Sequence, residues 1–365
     1  VSKSAFFVAY FYPRIAVFDD IDGWNNWDYS GTAEFYNDFG NYEVTVEVPG
    51  DYIVRATGIW QNPGEILREA YLARYNRAAT SDETVKIISK KDLPLKNIMK
   101  TEEKHSWKFL AENVTDFAFG AAGGYLWDAT SLVVDSVSGR RGMVDAVYSP
   151  LSADFYHVAD IAREGIKRMS YDFPAIPFPY PKITVFNGLS EMEYPMMVND
   201  ISLPDLTETI KLTVHEIFHT YFPFYTGLNE TKYAWMDEGL TSYGESLIAS
   251  KMDTTRYAGY YFLDDFEDFI GYDYDVPLFV CSEYLRKPVY YANSYPKAAA
   301  FFGILHGYLG DAEFIKALQE FTDRWKGKHP TPYDFIFTFE DVTGQDLSWL
   351  IRPWLFEFGY VDLAL

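Results

Sequence analysis

The stretch Leu206-Thr-Glu-Thr-Ile-Lys-Leu-Thr-Val-His215-Glu216-Ile217-Phe218-His219, followed later by Trp235-Met236-Asp237-Glu238-Gly239, decides how the rest of the chain is read. The first segment predicts a helix from about Asp205 to Tyr221, stopped by Pro223. His215 and His219 stand four apart, so on a helix they share a face with their Cβ atoms about 5–6 Å apart. Two imidazoles at that spacing can reach one zinc ion, and Glu216, beside the line joining them, can take a proton from an attacking water. With only six histidines in the chain, the placement of two around a glutamate is informative. Glu238 follows His219 after eighteen intervening residues. A second helix over Trp235 to Met252, antiparallel to the first, would bring Glu238 in as third ligand. Two histidines and one carboxylate leave one coordination position open, the catalytic rather than the structural pattern. Alone, Glu238 reads as a solvated helix residue; joined to the upstream motif it reads as a ligand. Glu245, seven residues on, shares its face and is expected to accept a hydrogen bond from the outer nitrogen of a metal-bound histidine. The bland alternative is a surface glutamate.

Composition sets the frame for this site. At 365 residues, 48% apolar and 19% aromatic, the chain has material for two domains with large cores and is not disordered. A net charge of −22 and a pI near 4.6 repel nucleic acid and anionic lipid, so neither is expected as a main partner. No uncharged apolar run reaches membrane-spanning length; the richest, Phe117 to Val134, contains Asp128. The single cysteine, Cys281, forbids an intrachain disulfide and leaves the compartment open, with an extracytoplasmic site favoured. The chain opens Val1-Ser2-Lys3 without an initiator Met or an apolar leader, which reads as an excised fragment.

Upstream of residue 150 the sequence reads as β. Tyr42, Val44, Val46 and Val48 alternate with polar residues, Pro49-Gly50-Asp51 makes a turn, and Tyr52 to Thr57 runs back, which predicts a hairpin. Leu132 to Val137 and Met143 to Tyr148 predict a second strand pair, and the charged stretch Ser81 to Glu103 a polar loop or exposed ribbon. Beyond Ser149-Pro150 the period becomes helical over Ser152 to Met169, with a strand at Lys182 to Phe186, an extended run at Met192 to Val198 and a helix at Lys297 to Leu309. Two domains are expected, residues 1–150 and 151–365.

The motif set H-E-x-x-H, eighteen residues, then Glu within W-x-x-E-G resembles the gluzincin aminopeptidases, the family of membrane alanyl aminopeptidase and leukotriene hydrolase. Asp237 stands where that family usually has Asn. Its G-x-M-E-N exopeptidase motif is matched at Met192 and Glu193, with Ser190 for Gly and Tyr194 for Asn, the latter as in bacterial relatives. Its Y-x-K-G tyrosine is matched by Tyr295-Pro296-Lys297-Ala298, and Tyr290, five residues earlier, corresponds to a further active-site tyrosine. Tyr12 to Asp20 is similar to the F-P-C-F-D-E stretch of the N-terminal β domain, and Trp349 to Asp362 to the end of the catalytic domain. The Glu or Gln that usually precedes the first of these is missing around Ser4 to Phe7.

The resemblance implies an α+β fold: part of an N-terminal all-β domain, then a thermolysin-like, mainly helical zinc peptidase domain with a small edge-exposed sheet. It further implies one zinc per chain, Glu216 as general base, Tyr295 stabilising the oxyanion, and Glu193 with Met192 and Tyr290 binding the substrate, Glu193 by its free α-amino group. The substrates would be peptides with a free N-terminus. A thermolysin-type endopeptidase would share the zinc helix but have no use for Glu193. Epoxide opening and a catalytically dead binding module are the other readings of the same motifs.

Overall fold

A computed structural model describes residues 5–253 and 261–358, so Ser4 and the last residues of the expected C-terminal match, 359–362, lie outside it. β-rich structure gives way to helical structure along the chain. The chain divides into two compact units. One comprises Val1–Pro13, Phe39–Asp172 and Ile176–Thr220; the other comprises Arg14–Asp38, Phe173–Ala175 and Tyr221–Leu365.

The first unit is built on a six-stranded sheet whose spatial order is Met192–Tyr194, Met197–Asp200, Lys182–Asn187, Arg140–Tyr148, Leu126–Asp135 and Val85–Ile88. The expected pair around Gly139 forms, with Leu132 opposite Gly142. Strands 140–148, 182–187 and 197–200 run parallel. The first parallel connection is made by the helix Val158–Tyr171, as a parallel pair requires a crossover. Strand 182–187 is buried at every position, the pattern of a sheet covered on both faces.

Three expectations need correction. The turn at 49–51 exists, but its strands do not form a hairpin. Gly40–Pro49 pairs with Lys104–Val114, Val46 facing Trp107, whereas Tyr52–Ala56 pairs with Phe119–Gly123. Burial explains this: residues 104–114 alternate buried and exposed like a half-solvated strand, while Ile53 to Ala56 are buried on both faces and belong deeper in the unit. The stretch 81–103 is not only a loop. Val85–Ile88 is a strand closing one end of the large sheet, its Val85, Ile87 and Ile88 buried, a signal too short to stand out among charges. Lastly, 192–198 is not one strand but a tight pair, 192–194 against 197–200, broken at Pro195, which has no N–H to donate, and at Met196, whose φ is +61°.

At the centre of this unit Arg55 pairs with Asp145, which also accepts from Trp127 Nε1 at 2.7 Å. Lys182 Nζ donates to Ala56 O and to Thr184 Oγ1 at 2.6 and 2.8 Å. Both cations are almost wholly buried, and burial together with the Arg55 charge holds the Lys182 ammonium well below the usual lysine range.

The second unit is helical: Glu230–Met252, Ala298–Leu309, Asp311–Trp325 and Pro332–Thr343 are its longest described helices. It takes in residues 14–38, held by Thr231 Oγ1 donating to Glu34 O at 3.1 Å, by a Lys232–Asp22 ion pair at 2.6 Å, and by His329 against Asp38 at 3.1 Å. No described helix is long and apolar enough to cross a membrane.

Candidate functional site

In the first unit, the helix carrying the two histidines begins at Asp205, whose side chain caps it by accepting from Thr207 N at 2.9 Å, and runs Leu206–Phe218. His219 closes it, so the two imidazoles sit one turn apart with ring centroids separated by 4.8 Å. His215 is half-buried, while His219 and Glu216 are 1% and 5% exposed. Glu193, on the outermost strand of the large sheet, is also buried, and its Oε1 lies 3.9 Å from His219 Nδ1. Glu193, Glu216 and His219 offer ligand atoms within 4.8 Å of one another. Met192, next to Glu193, is half-buried.

Burial raises the Glu216 carboxyl well above the usual range. The His215 and His219 rings oppose this, and the Glu193 and Asp200 carboxylates add to it. A carboxyl so placed holds a proton more tightly than one in water. Its Oε2 is buried without a hydrogen-bond partner among the described residues.

Asp200, which motif reading does not single out, belongs to this constellation. It ends the strand beside Glu193's, is 1% exposed, and accepts from Thr213 Oγ1 on the histidine helix at 3.2 Å. Burial pushes its carboxyl up to about 7, with Thr213 working the other way. The available signal was a polar pair, Asn199-Asp200, closing an otherwise apolar strand.

The second unit holds Glu238, Glu245, Tyr290 and Tyr295. A short turn capped by Asn229, which accepts from Lys232 N at 3.1 Å, precedes the helix expected from about Trp235; the two meet at Tyr233, whose φ of −132° and ψ of 48° are not helical. Glu238 and Glu245 are 3% and 4% exposed, so neither is a solvated helix residue. Gly239 is required where it stands: a Cβ there would lie 2.3 Å from the Ala298 Cβ, so the helices 230–252 and 298–309 approach closely beside Glu238. Tyr295 Oη donates to Glu238 Oε1 at 2.5 Å. The turn bearing Tyr295 is fixed by Lys297, whose Nζ donates to Asp275 Oδ1 at 2.6 Å and Val276 O at 2.7 Å. Tyr290 is 6% exposed and packs with Ala33, Ala234 and Leu285.

These donors suit a borderline cation. Imidazole nitrogens with a carboxylate are zinc ligands, whereas magnesium or calcium sites are made of oxygens. The buried Glu216 oxygen, without a described partner and between the two rings in sequence, is a second mark of a site shaped for a metal and its water.

Comparison with known proteins agrees with this chemistry. The profile of the Peptidase family M1 domain matches residues 188–354. Probable aminopeptidase 2 of Sulfurisphaera tokodaii is 22% identical over 155 residues, 41% of this chain and 20% of that protein. Aminopeptidase M1-C of Oryza sativa subsp. japonica is 22% identical over 225 residues, 55% and 25% respectively. This chain therefore spans a quarter or less of these curated relatives. An M1 zinc metallopeptidase variant from Deinococcus radiodurans, bound to a Tyr-Ser-Ala substrate, superposes with a TM-score of 0.62 at 14% identity, covering 90% of this chain and 66% of that one. Legionella pneumophila aminopeptidase A in complex with aspartic acid gives 0.61 at 18% identity, covering 88% and 35%. These likenesses establish the β-rich and helical arrangement of the fold. The match of residues 188–354 to the Peptidase family M1 domain, with these relatives, supports the resemblance to the gluzincin aminopeptidases.

Proposed function

We propose that this chain is a zinc aminopeptidase, removing the first residue of peptides with a free N-terminus. One zinc would be held by His215, His219 and Glu238. The H-E-x-x-H spacing, the eighteen-residue interval and the burial of His219 and Glu238 support this set. A zinc ion there would polarise the scissile carbonyl and acidify a water. Glu216 accepts that water's proton and later delivers it to the leaving amine. A hydroxyl from the 290–295 turn, Tyr295 by the resemblance, donates to the oxyanion. Glu245 orients a histidine ligand through its outer nitrogen. Met192 and Tyr290 flank the substrate, and the boundary between the β domain and the catalytic domain lies near residue 150.

The observation that carries the exopeptidase reading is Glu193. A carboxylate buried beside His219 and Glu216 is costly unless it meets a positive charge. The α-ammonium group of a peptide supplies that charge at a distance from the first carbonyl fixed by covalent geometry. The peptide backbone would lie along the strand 192–194, whose far side has no neighbour in its sheet among the described residues. Aminoacyl-coumarin substrates and their N-acetylated twins, with and without a chelator, test this. Free substrates should turn over only without chelator, and the acetylated ones should not; equal cleavage of both forms would mean an endopeptidase.

A further inference from the structure

The strand pair that carries Glu193 and the helix that carries the two histidines follow one another in the chain, joined by residues 201–205. Two buried carboxylates fasten them together. Asp154, on the turn Asp154–Tyr156 that precedes the helix 158–171, accepts from Ser202 Oγ, from Leu203 N at 2.9 Å and from Thr209 Oγ1 at 3.1 Å. Asp200, at the end of the strand 197–200, accepts from Thr213 Oγ1 at 3.2 Å. Thr209 and Thr213 are both buried and stand four apart, so they share one face of the helix, ~6 Å apart along its axis. Glu193 pairs with Val198, so its side chain shares a sheet face with that of Asp200, two residues beyond Val198. The strand pair and the helix are thus tied by directional bonds at two levels. The buried Val214, Ile217 and Phe218 hold the helix in the core, but apolar burial has no direction and does not fix its rotation.

We infer that Asp154 and Asp200 are positioning residues: by gripping Thr209 and Thr213 they fix the spacing between the Glu193 amine anchor and the helical turn 215–219. This rests on the aminopeptidase reading and extends it to groups outside the motifs. The α-ammonium group and the first carbonyl of a peptide are a fixed covalent distance apart, so the groups that receive them must be held at a matching distance. A rotation of the helix by about 10° moves an atom at its ~6 Å side-chain radius by about 1 Å. A misplacement near ~1 Å at a reaction centre costs about 10²-fold. The grip acts close to the chemistry, since Glu216 follows Thr213 by three residues and lies on the same stripe of the helix.

The test replaces both threonine hydroxyls isosterically in the full chain, Thr209→Val with Thr213→Val, with and without Glu193→Ala. Unfolding midpoints confirm that each variant folds, and kcat and KM are measured on a free aminoacyl-coumarin at saturating Zn²⁺. The valine pair should lose about 10²-fold in kcat with KM within about threefold of wild type, because Glu193 still meets the amine but presents the carbonyl out of line. With Glu193→Ala already in place the same pair should cost less than about threefold, since the spacing it kept no longer has an anchor at one end. Thr209→Ser with Thr213→Ser keeps both donors and should recover most of the kcat. If the valine pair fails to fold, Thr209→Val alone carries the same comparison, because Asp154 retains Ser202 and Leu203 as donors. Equal losses in both Glu193 backgrounds, an undiminished kcat, or a serine pair no better than the valine pair overturns the inference. A wild-type chain that turns over no free aminoacyl-coumarin overturns the aminopeptidase reading, and the inference falls with it.

Discussion

Gly239→Ala puts one methyl group where two helices meet. In a helix interior that exchange ordinarily stabilises by up to about 1 kcal/mol, because alanine loses less backbone freedom. Here the new Cβ would stand 2.3 Å from the Ala298 Cβ, well inside the ~3.5 Å of ordinary carbon contact, with Phe302 Cε2 at 3.2 Å behind it. The neighbours are a helix and a buried ring, so the clash can be relieved only by parting the helices. Overpacking of this kind costs about 1–3 kcal/mol, which outweighs the propensity gain, and a net loss of about 1–2 kcal/mol is expected. The functional effect should be larger. Glu238 is the preceding residue, and a shift near ~1 Å of a group at a reaction centre can cost about 10²-fold. Guanidinium unfolding and kcat/KM at saturating zinc, on Gly239→Ala, Ala298→Gly and the double variant, measure both effects. The double variant should recover most of the activity, because the closest atom is then gone and the remaining contacts are 3.2 Å or more. A single variant as stable and active as wild type, or a double variant no better than the single, refutes the packing argument.

Glu216→Gln preserves shape but removes the proton acceptor, so zinc content should be unchanged and kcat should fall about 10²–10⁴-fold; turnover within a few-fold of wild type would remove Glu216 from the mechanism. Glu193→Ala should erase most of the preference for a free peptide over its N-acetylated twin, and an intact preference would send the amine anchor elsewhere. His219→Ala should abolish stoichiometric zinc by elemental analysis, and undiminished occupancy would refute its role as ligand. Asp200 gives a pH signature. Its folded carboxyl titrates at about 7, against 3.8 when unperturbed, so between those values the folded chain holds a proton that the unfolded chain has released. Its contribution to stability is thus fully present below about pH 4 and lost as pH rises through about 7. Asp200→Asn should flatten that decline, gaining on wild type at about pH 8 relative to about pH 5; a constant offset between the two would speak against it.

How much of this was legible beforehand differs between local and long-range features. His215, Glu216 and His219 stand on one turn of helix, and the spacing alone forecasts the face that the two histidines share. Strand-like sequence on either side of a glycine-bearing turn served equally well for the pair 126–135 and 140–148, whose strands are joined by a short link ending at Gly139 and close locally. The partner of strand 40–49 was not legible, because the nearest candidate in sequence, 52–56, was the wrong one; burial on both faces, not the intervening turn, sends that strand to 119–123. The contacts that Asp200 and Lys297 make were not legible for a related reason. A lone charged residue has no period, and its meaning lies in the atoms that meet it: Thr213 for one, Asp275 for the other.

The helical unit recruits residues 14–38 through contacts of great sequence separation: Thr231 to Glu34 spans 197 residues and His329 to Asp38 spans 291. On a ribosome, that early segment leaves the tunnel long before the helices that will receive it. It carries Ile15, Phe18, Ile21 and Trp24, all more than half exposed even in the finished fold. Until His329 is made, an apolar, acidic ribbon waits with no surface of its own to bury, and each of those closures costs loop entropy before any contact offsets it. A shortened chain beginning near residue 150 would keep every residue named in the zinc site and still lack the strap that ties the start of the Glu238 helix. It would also lose strands 85–88, 126–135 and 140–148 of the sheet that carries Glu193, and the orphaned receiving surface would be prone to self-association during synthesis.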